Sequence, residues 1–185
     1  VKGVSATSTV DKNWMTGKRT QGTSAETTTS FTGTALTAVG ALSLKAGNAV
    51  AVKGSDIAAS GNITLSAVNG VNIASAQETA RFALDERVKK KTVVSTETAT
   101  TNRLSTISAA GDVTLLTPGA IQIKGAEIAA GGTATLGGGS ISIAGVIDTA
   151  TLDSVTRVKK SGLASKKITT TTIANSDQSV VASAV

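Results

Sequence analysis

Apolar residues alternate with small or polar ones along much of this chain, in short runs separated by Gly, Asn, Asp or Ser. Leu42 and Leu44 fall on one side of such a run and Ala41 and Ser43 on the other. Val50/Val52, Ile63/Leu65, Val71/Ile73, Val113/Leu115, Ile121/Ile123 and Ile141/Ile143 repeat the pattern. A period of two predicts short β-strands with one buried face.

The runs themselves recur. Gly40-Ala41-Leu42-Ser43-Leu44 returns 21 residues later as Gly61-Asn62-Ile63-Thr64-Leu65, and Val50-Ala51-Val52 as Val71-Asn72-Ile73. A second block, about 71 residues on, repeats the set: Gly111-Asp112-Val113-Thr114-Leu115 leads to Gly132-Thr133-Ala134-Thr135-Leu136, and Ile121-Gln122-Ile123 to Ile141-Ser142-Ile143 with one residue deleted. A further strand per unit is marked by Ile57-Ala58-Ala59 and Ile128-Ala129-Ala130. Units this short cannot bury their own apolar face and must stack on their neighbours. Hairpin meanders would show spacings of about 8–12 residues with two-residue turns. The constant displacement instead predicts an all-β chain, a parallel β-helix with coils of about 21 residues. Leu44, Val52, Leu65, Ile73, Leu115, Ile123, Leu136 and Ile143 are then expected to point inward as ladders.

Between the coil blocks, about 40–75 and 110–147, lie polar inserts at about 1–39, 76–109 and 148–185, all within one repeat fragment spanning 1–185. Arg87-Val88-Lys89-Lys90 recurs as Arg157-Val158-Lys159-Lys160, and Ser24 to Thr29 matches Ser95 to Thr100. A short polar helix from Ala76 to Lys91 is one reading. The β-branched, alternating, Thr-rich continuation favours a long protruding β-hairpin with the basic cluster near its tip.

Composition narrows the chemistry. Hydrophobic content is 40% but aromatic content only 2%, so Val, Ile, Leu and Ala must fill the interior. Cysteine and histidine are both absent, which removes thiolate sites and the usual general base. The two coil blocks carry +1 and −1 and cancel to zero, so the net charge of +6 resides in the inserts at +2 each. A nucleic-acid groove is not expected, because side chains for stacking bases are nearly missing. No apolar run approaches the length of a bilayer-spanning helix and no signal peptide opens the chain. A start at Val1, with Met15 as the only methionine, suggests a piece of a larger protein.

The residues Gly111-Asp112-Val113-Thr114-Leu115, Ile121 to Ala130, Gly61 to Ala67 and Val71 to Ala76 resemble the haemagglutinin repeats of filamentous-haemagglutinin-type exoproteins of two-partner secretion, including contact-dependent growth-inhibition effectors. The likeness covers roughly residues 24–160. It implies a right-handed β-helix in a filament secreted to, or beyond, the surface of a Gram-negative bacterium, exported through an outer-membrane β-barrel transporter and continued by flanking repeats. It also implies contact with target-cell surfaces or glycans, in adhesion or in toxin delivery, and implies no catalytic residue, metal or cofactor.

Two other classes compete. A carbohydrate-active β-helix enzyme needs clustered carboxylates in an aromatic-lined cleft. Here Asp56 and Glu127 occupy equivalent positions in different blocks, Asp85-Glu86 sit beside Arg87, and Trp14, Phe31 and Phe82 are the only aromatics. A phage tail-spike stalk would be a strict trimer. Gly137-Gly138-Gly139-Ser140 reads as a coil corner, since neither a calcium-binding Asp nor a phosphate-loop Lys follows. The candidate contacts to anionic surfaces are Arg87, Lys89, Lys90, Lys91, Arg157, Lys159 and Lys160. The competing role for these charges is solubility and protection of strand edges.

Overall fold

A computed structural model describes residues 1, 3–16, 20–162 and 165–185. They form strands and connections, with no helix. In chain order the strands are β1 (Val4–Met15), β2 (Thr20–Thr32), β3 (Ala35–Ala38), β4 (Leu42–Ala46), β5 (Ala49–Lys53), β6 (Asp56–Ala59), β7 (Ile63–Ala67), β8 (Gly70–Ala74), β9 (Ala76–Val88), β10 (Lys91–Arg103), β11 (Ser105–Ala109), β12 (Val113–Lys124), β13 (Ala126–Ala130), β14 (Ala134–Ala144), β15 (Val146–Ser161) and β16 (Lys166–Val181).

The apolar repeats stack in parallel. Each layer of chain contributes a first strand to one parallel sheet, ordered β13-β11-β6-β3, and its remaining strands to a second, curled parallel sheet. Two separate strands, β4–β5 or β7–β8, serve the second sheet in the first two layers; the single long strands β12 and β14 serve it in the last two. The expected register holds: Leu44 faces Leu65, Leu65 faces Leu115 and Leu115 faces Leu136, while Val52, Ile73, Ile123 and Ile143 form the parallel series. Leu36, Ile57, Ile107 and Ile128 make the corresponding row in the first sheet.

Between the sheets lies a core of aliphatic rows. Ile63, Leu65, Ile73, Ile107, Val113, Leu115 and Ile121 are fully buried, each contributing about 1.5–3 kcal/mol. Burial falls off at the outer layers. Leu44 and Leu136 are half-buried, and Ile143, on β14 with no further strand above it, is 48% exposed.

The motif Gly-Asx before β7 and β12 has a specific cause. The Asn62 Oδ1 accepts the backbone N–H of Asp112 (2.9 Å), and the Asp112 Oδ1 accepts that of Thr133 (2.8 Å). Each of these side chains turns into the space that a Cβ on Gly111 or Gly132 would occupy, so a larger residue there would displace the bonding oxygen and break the bond. Serines do similar work at another corner: the Oγ of buried Ser105 donates to Ala74 O (2.6 Å) and that of half-buried Ser183 to Ala144 O (2.6 Å), satisfying carbonyls at layer ends.

Consecutive layers are joined at that corner in two ways. Where the chain passes straight on, it turns at Gly54 or Gly125, both left-handed (φ 51° and 63°). Where it does not, it leaves as a hairpin. The three hairpins, β1–β2, β9–β10 and β15–β16, stand side by side as one antiparallel sheet ordered β1-β2-β9-β10-β15-β16. The polar inserts are therefore hairpins and not helices. The first strand of a layer, β3 or β11, lies within stretches that the charge pattern grouped with the inserts.

Neighbouring hairpins are fastened at their roots. The ladder between β2 and β9 ends at Thr29–Thr79, and that between β10 and β15 at Thr100–Thr149. Beyond those points a carboxylate takes over: Glu78 Oε1 accepts the N–H of Phe31 (2.9 Å), and Asp148 Oδ1 accepts that of Asn102 (2.8 Å). The Asn102 side chain adds bonds to Asp148 Oδ1 and Ile147 O.

Three outcomes follow for stability. Leu65→Asp places an unpaired polar group in a fully buried row and should abolish cooperative folding of the first two layers, whereas Ile143→Asp should be tolerated; equal denaturant midpoints would contradict the register. Gly125→Ala forces a left-handed alanine whose Cβ meets Ser75 Cβ and Val146 Cγ1 at 2.8 Å, so it should cost more than about 1 kcal/mol. Gly47→Ala meets nothing within 4 Å and should be near neutral. Asp148→Ala should cost about 1.5–3 kcal/mol and speed hydrogen exchange at the Asn102 amide, leaving exchange within β12 unchanged.

Candidate interaction surface at the hairpin tips

Among the described residues no second layer covers the hairpin sheet. Its buried residues are confined to the root, at Phe31, Ala76 and Val146, and to Gly22, across which Trp14 lies. Both faces are otherwise open, which suits the β-branched, polar composition of these strands. Thr7, Thr29, Thr79, Thr100 and Thr149 form one cross-strand row through five strands, with the Thr7 and Thr29 hydroxyls 3.0 Å apart.

At the outer end lie the basic clusters. Val88 pairs with Lys91, so Lys89 and Lys90 form the two-residue turn of the second hairpin. Lys89 is left-handed (φ 54°), a position where glycine is the unstrained choice. Arg87, Thr92 and Arg157 are successive members of one row and so share a face. Lys91 pairs with Val158 on the opposite face. Lys159 donates its backbone N–H to Lys90 O (2.9 Å), and Lys90 Nζ donates to Ser161 Oγ (2.8 Å), tying the second tip to the third. All seven sequence-nominated residues are exposed. They are gathered on one rim of the sheet, divided between its two faces, and not in a pocket.

Lys166 and Lys167, opposite Ser161 and Lys160, extend the same rim. They were missed because their position depends on the turn around Gly162; two lysine pairs flanking a small-residue run was the available signal. Among the described residues the only ion pair is Arg103–Asp56 (3.2 Å), at the hairpin root. The tip bases are therefore without ion-pair partners there. Asp56 and Glu127 fall in one stacked row, separated by Thr106, with Asp56 held by Arg103.

Beside Arg87 a shallow hollow of about 480 Å³ is walled by Asn13, Met15, Gln21, Thr23 and Asp85 and floored by the Trp14 and Gly22 strands. It is a surface depression lined by amide, hydroxyl and charged groups. No group of three or more acidic side chains able to hold a metal occurs among the described residues.

No curated protein and no solved structure matches the chain. Residues 15–87, running from the end of β1 through the first two layers to the outer end of β9, match the family model described as the hemagglutinin repeat. Repeats of this family are typical of secreted or surface proteins, and Ser95 to Lys160 repeats the same hairpin-and-layer arrangement in register. Over residues 15–87 the chain is therefore similar to the hemagglutinin repeat, in line with the resemblance carried by its repeated motifs.

Proposed function

We propose that the chain is a right-handed parallel β-helical segment of a filament on a bacterial surface, acting as a spacer and contact element in adhesion or in delivery of a toxin to another cell. The observation that carries this reading is the joint growth of two ladders. The stacked layers lengthen along one axis, and the hairpins add strands to a second sheet along the same axis. Such a body extends without needing a new core for each repeat. Its neutral stacked layers and its exposed, charged hairpins divide support from contact. The chemistry is non-catalytic in this reading: Glu78, Asp112 and Asp148 accept backbone N–H groups, Asp56 pairs with arginine, and Glu127 is exposed on β13. Export uses an outer-membrane β-barrel transporter, and the contacts are target-cell surfaces or glycans.

Antibody raised against the β9–β10 hairpin should label intact bacteria carrying the full protein. It should fail to label cells lacking the exporter. Retention of the protein inside wild-type cells, or turnover of an acidic polysaccharide by the purified chain, would overturn the reading.

A further inference from the structure

The hairpin charge is sorted by height. Residues 87–91 and 157–167 contain no acid, whereas all nine acids of the hairpin segments lie inward of the Arg87 row. The connection between β1 and β2 also carries two bases in sequence, Lys18 and Arg19, which fall outside the described residues. A net charge that looks modest for each insert is thus a strongly basic rim above a more acidic sheet.

The rim is also periodic. Arg87 and Arg157 are separated by one strand carrying Thr92, which places them about 9.5 Å apart on one face. Gln21 and Thr170 flank them in the same row. Amide or hydroxyl groups therefore alternate with guanidinium groups along the direction in which layers are added. Lys89 holds a strained left-handed turn at this rim and still presents a charge there.

We propose that the hairpin tips form a cation rail that binds a linear acidic polysaccharide lying along the stacking axis, with anions engaging Arg87 and Arg157 and neutral sugar hydroxyls meeting Thr92 and Gln21. A chain with an acid on every second sugar presents its anions at a spacing of this order. Arginine suits the role because its planar fork binds carboxylate or sulfate through paired hydrogen bonds. Single-stranded nucleic acid would need aromatic platforms for its bases, and the row contains none; Trp14 lies on the opposite face, over Gly22. The one carboxylate close on the same face, Asp85, is two residues inward of Arg87 on β9 and faces the hollow beside it. This inference deepens the contact role proposed above and rests on it only for where the polymer is met.

The test uses the whole chain and hyaluronate fragments of increasing length, with neutral dextran, single-stranded DNA and lipopolysaccharide vesicles as comparisons. Affinity should rise by roughly 100-fold once a fragment is long enough to reach both arginines, as expected when a second contact becomes intramolecular. It should fall as salt is raised. The double variant Arg87→Gln/Arg157→Gln should remove the length dependence and weaken binding at least roughly tenfold, with an unchanged melting temperature. Affinity independent of fragment length, binding unaffected by the double variant, or tighter binding to DNA or to the vesicles than to long hyaluronate would each overturn the proposal. A loss of melting temperature in the double variant would too, since the arginines would then be holding the sheet together. A chain that binds hyaluronate as expected yet is retained inside the cell would sink the filament reading and leave this one standing.

Discussion

Everything in this molecule depends on parallel strands stacking in register, like residue upon like residue, about 4.8 Å apart. A row such as Leu44–Leu65–Leu115–Leu136 is held by backbone hydrogen bonds from layer to layer and by aliphatic side chains meeting their own kind. That condition explains the near absence of aromatic residues. A ring in one layer would have to be matched or accommodated in the next, whereas Val, Ile, Leu and Ala substitute for one another with little change of volume. The same condition explains the Gly-Asx pair: an Asn or Asp that bonds the next layer's amide occupies the space above it, and a Cβ there would push that oxygen off its bond.

The second dependence is one of pitch. Each hairpin brings two antiparallel strands, and successive hairpins are separated by two layers. Strand spacing is nearly the same in both kinds of ladder, so each set advances by about 10 Å per repeat and they remain in step. The match is looser at the roots. The two strands of one hairpin leave from adjacent layers, while neighbouring hairpins start further apart and converge only higher up. Glu78 and Asp148 span those gaps, each supplying an acceptor where the backbone ladder has opened. The alternation of a left-handed glycine corner with a hairpin corner is the device that keeps the count at two layers.

The two parts of the molecule use charge differently as a result. Layers sandwiched on both sides have little surface to decorate and carry few charges, which cancel across the two blocks, with serine and asparagine side chains turned to satisfying backbone groups. Hairpin strands are wet on both faces, and their side chains are free to serve contact. Bases placed at the outer rim lie far from the buried rows, so their solvation is retained and their repulsion is spread along the axis.

How much of this was legible in the chain depends on the range of the interaction. The period-two runs, the 21-residue displacement and the partners within each aliphatic row follow from local alternation and exact repetition, because a one-residue slip would turn every apolar side chain outward. The basic clusters were legible too, including their place near hairpin tips, since a β-branched, Thr-rich alternating stretch follows the cluster at Arg87 to Lys91. Other features involve residues whose separation in sequence carries no period. The assembly of three hairpins into one sheet, the face shared by Arg87 and Arg157, the carboxylate links at Glu78 and Asp148, and the addition of Lys166 and Lys167 to the rim all arise this way. The sequence by itself determined the stacking unit and its buried face, which are properties of single strands and their copies. Only the tertiary structure decided which hairpins meet and which charges share a face, because that depends on the distance between layers measured along the axis and not along the chain.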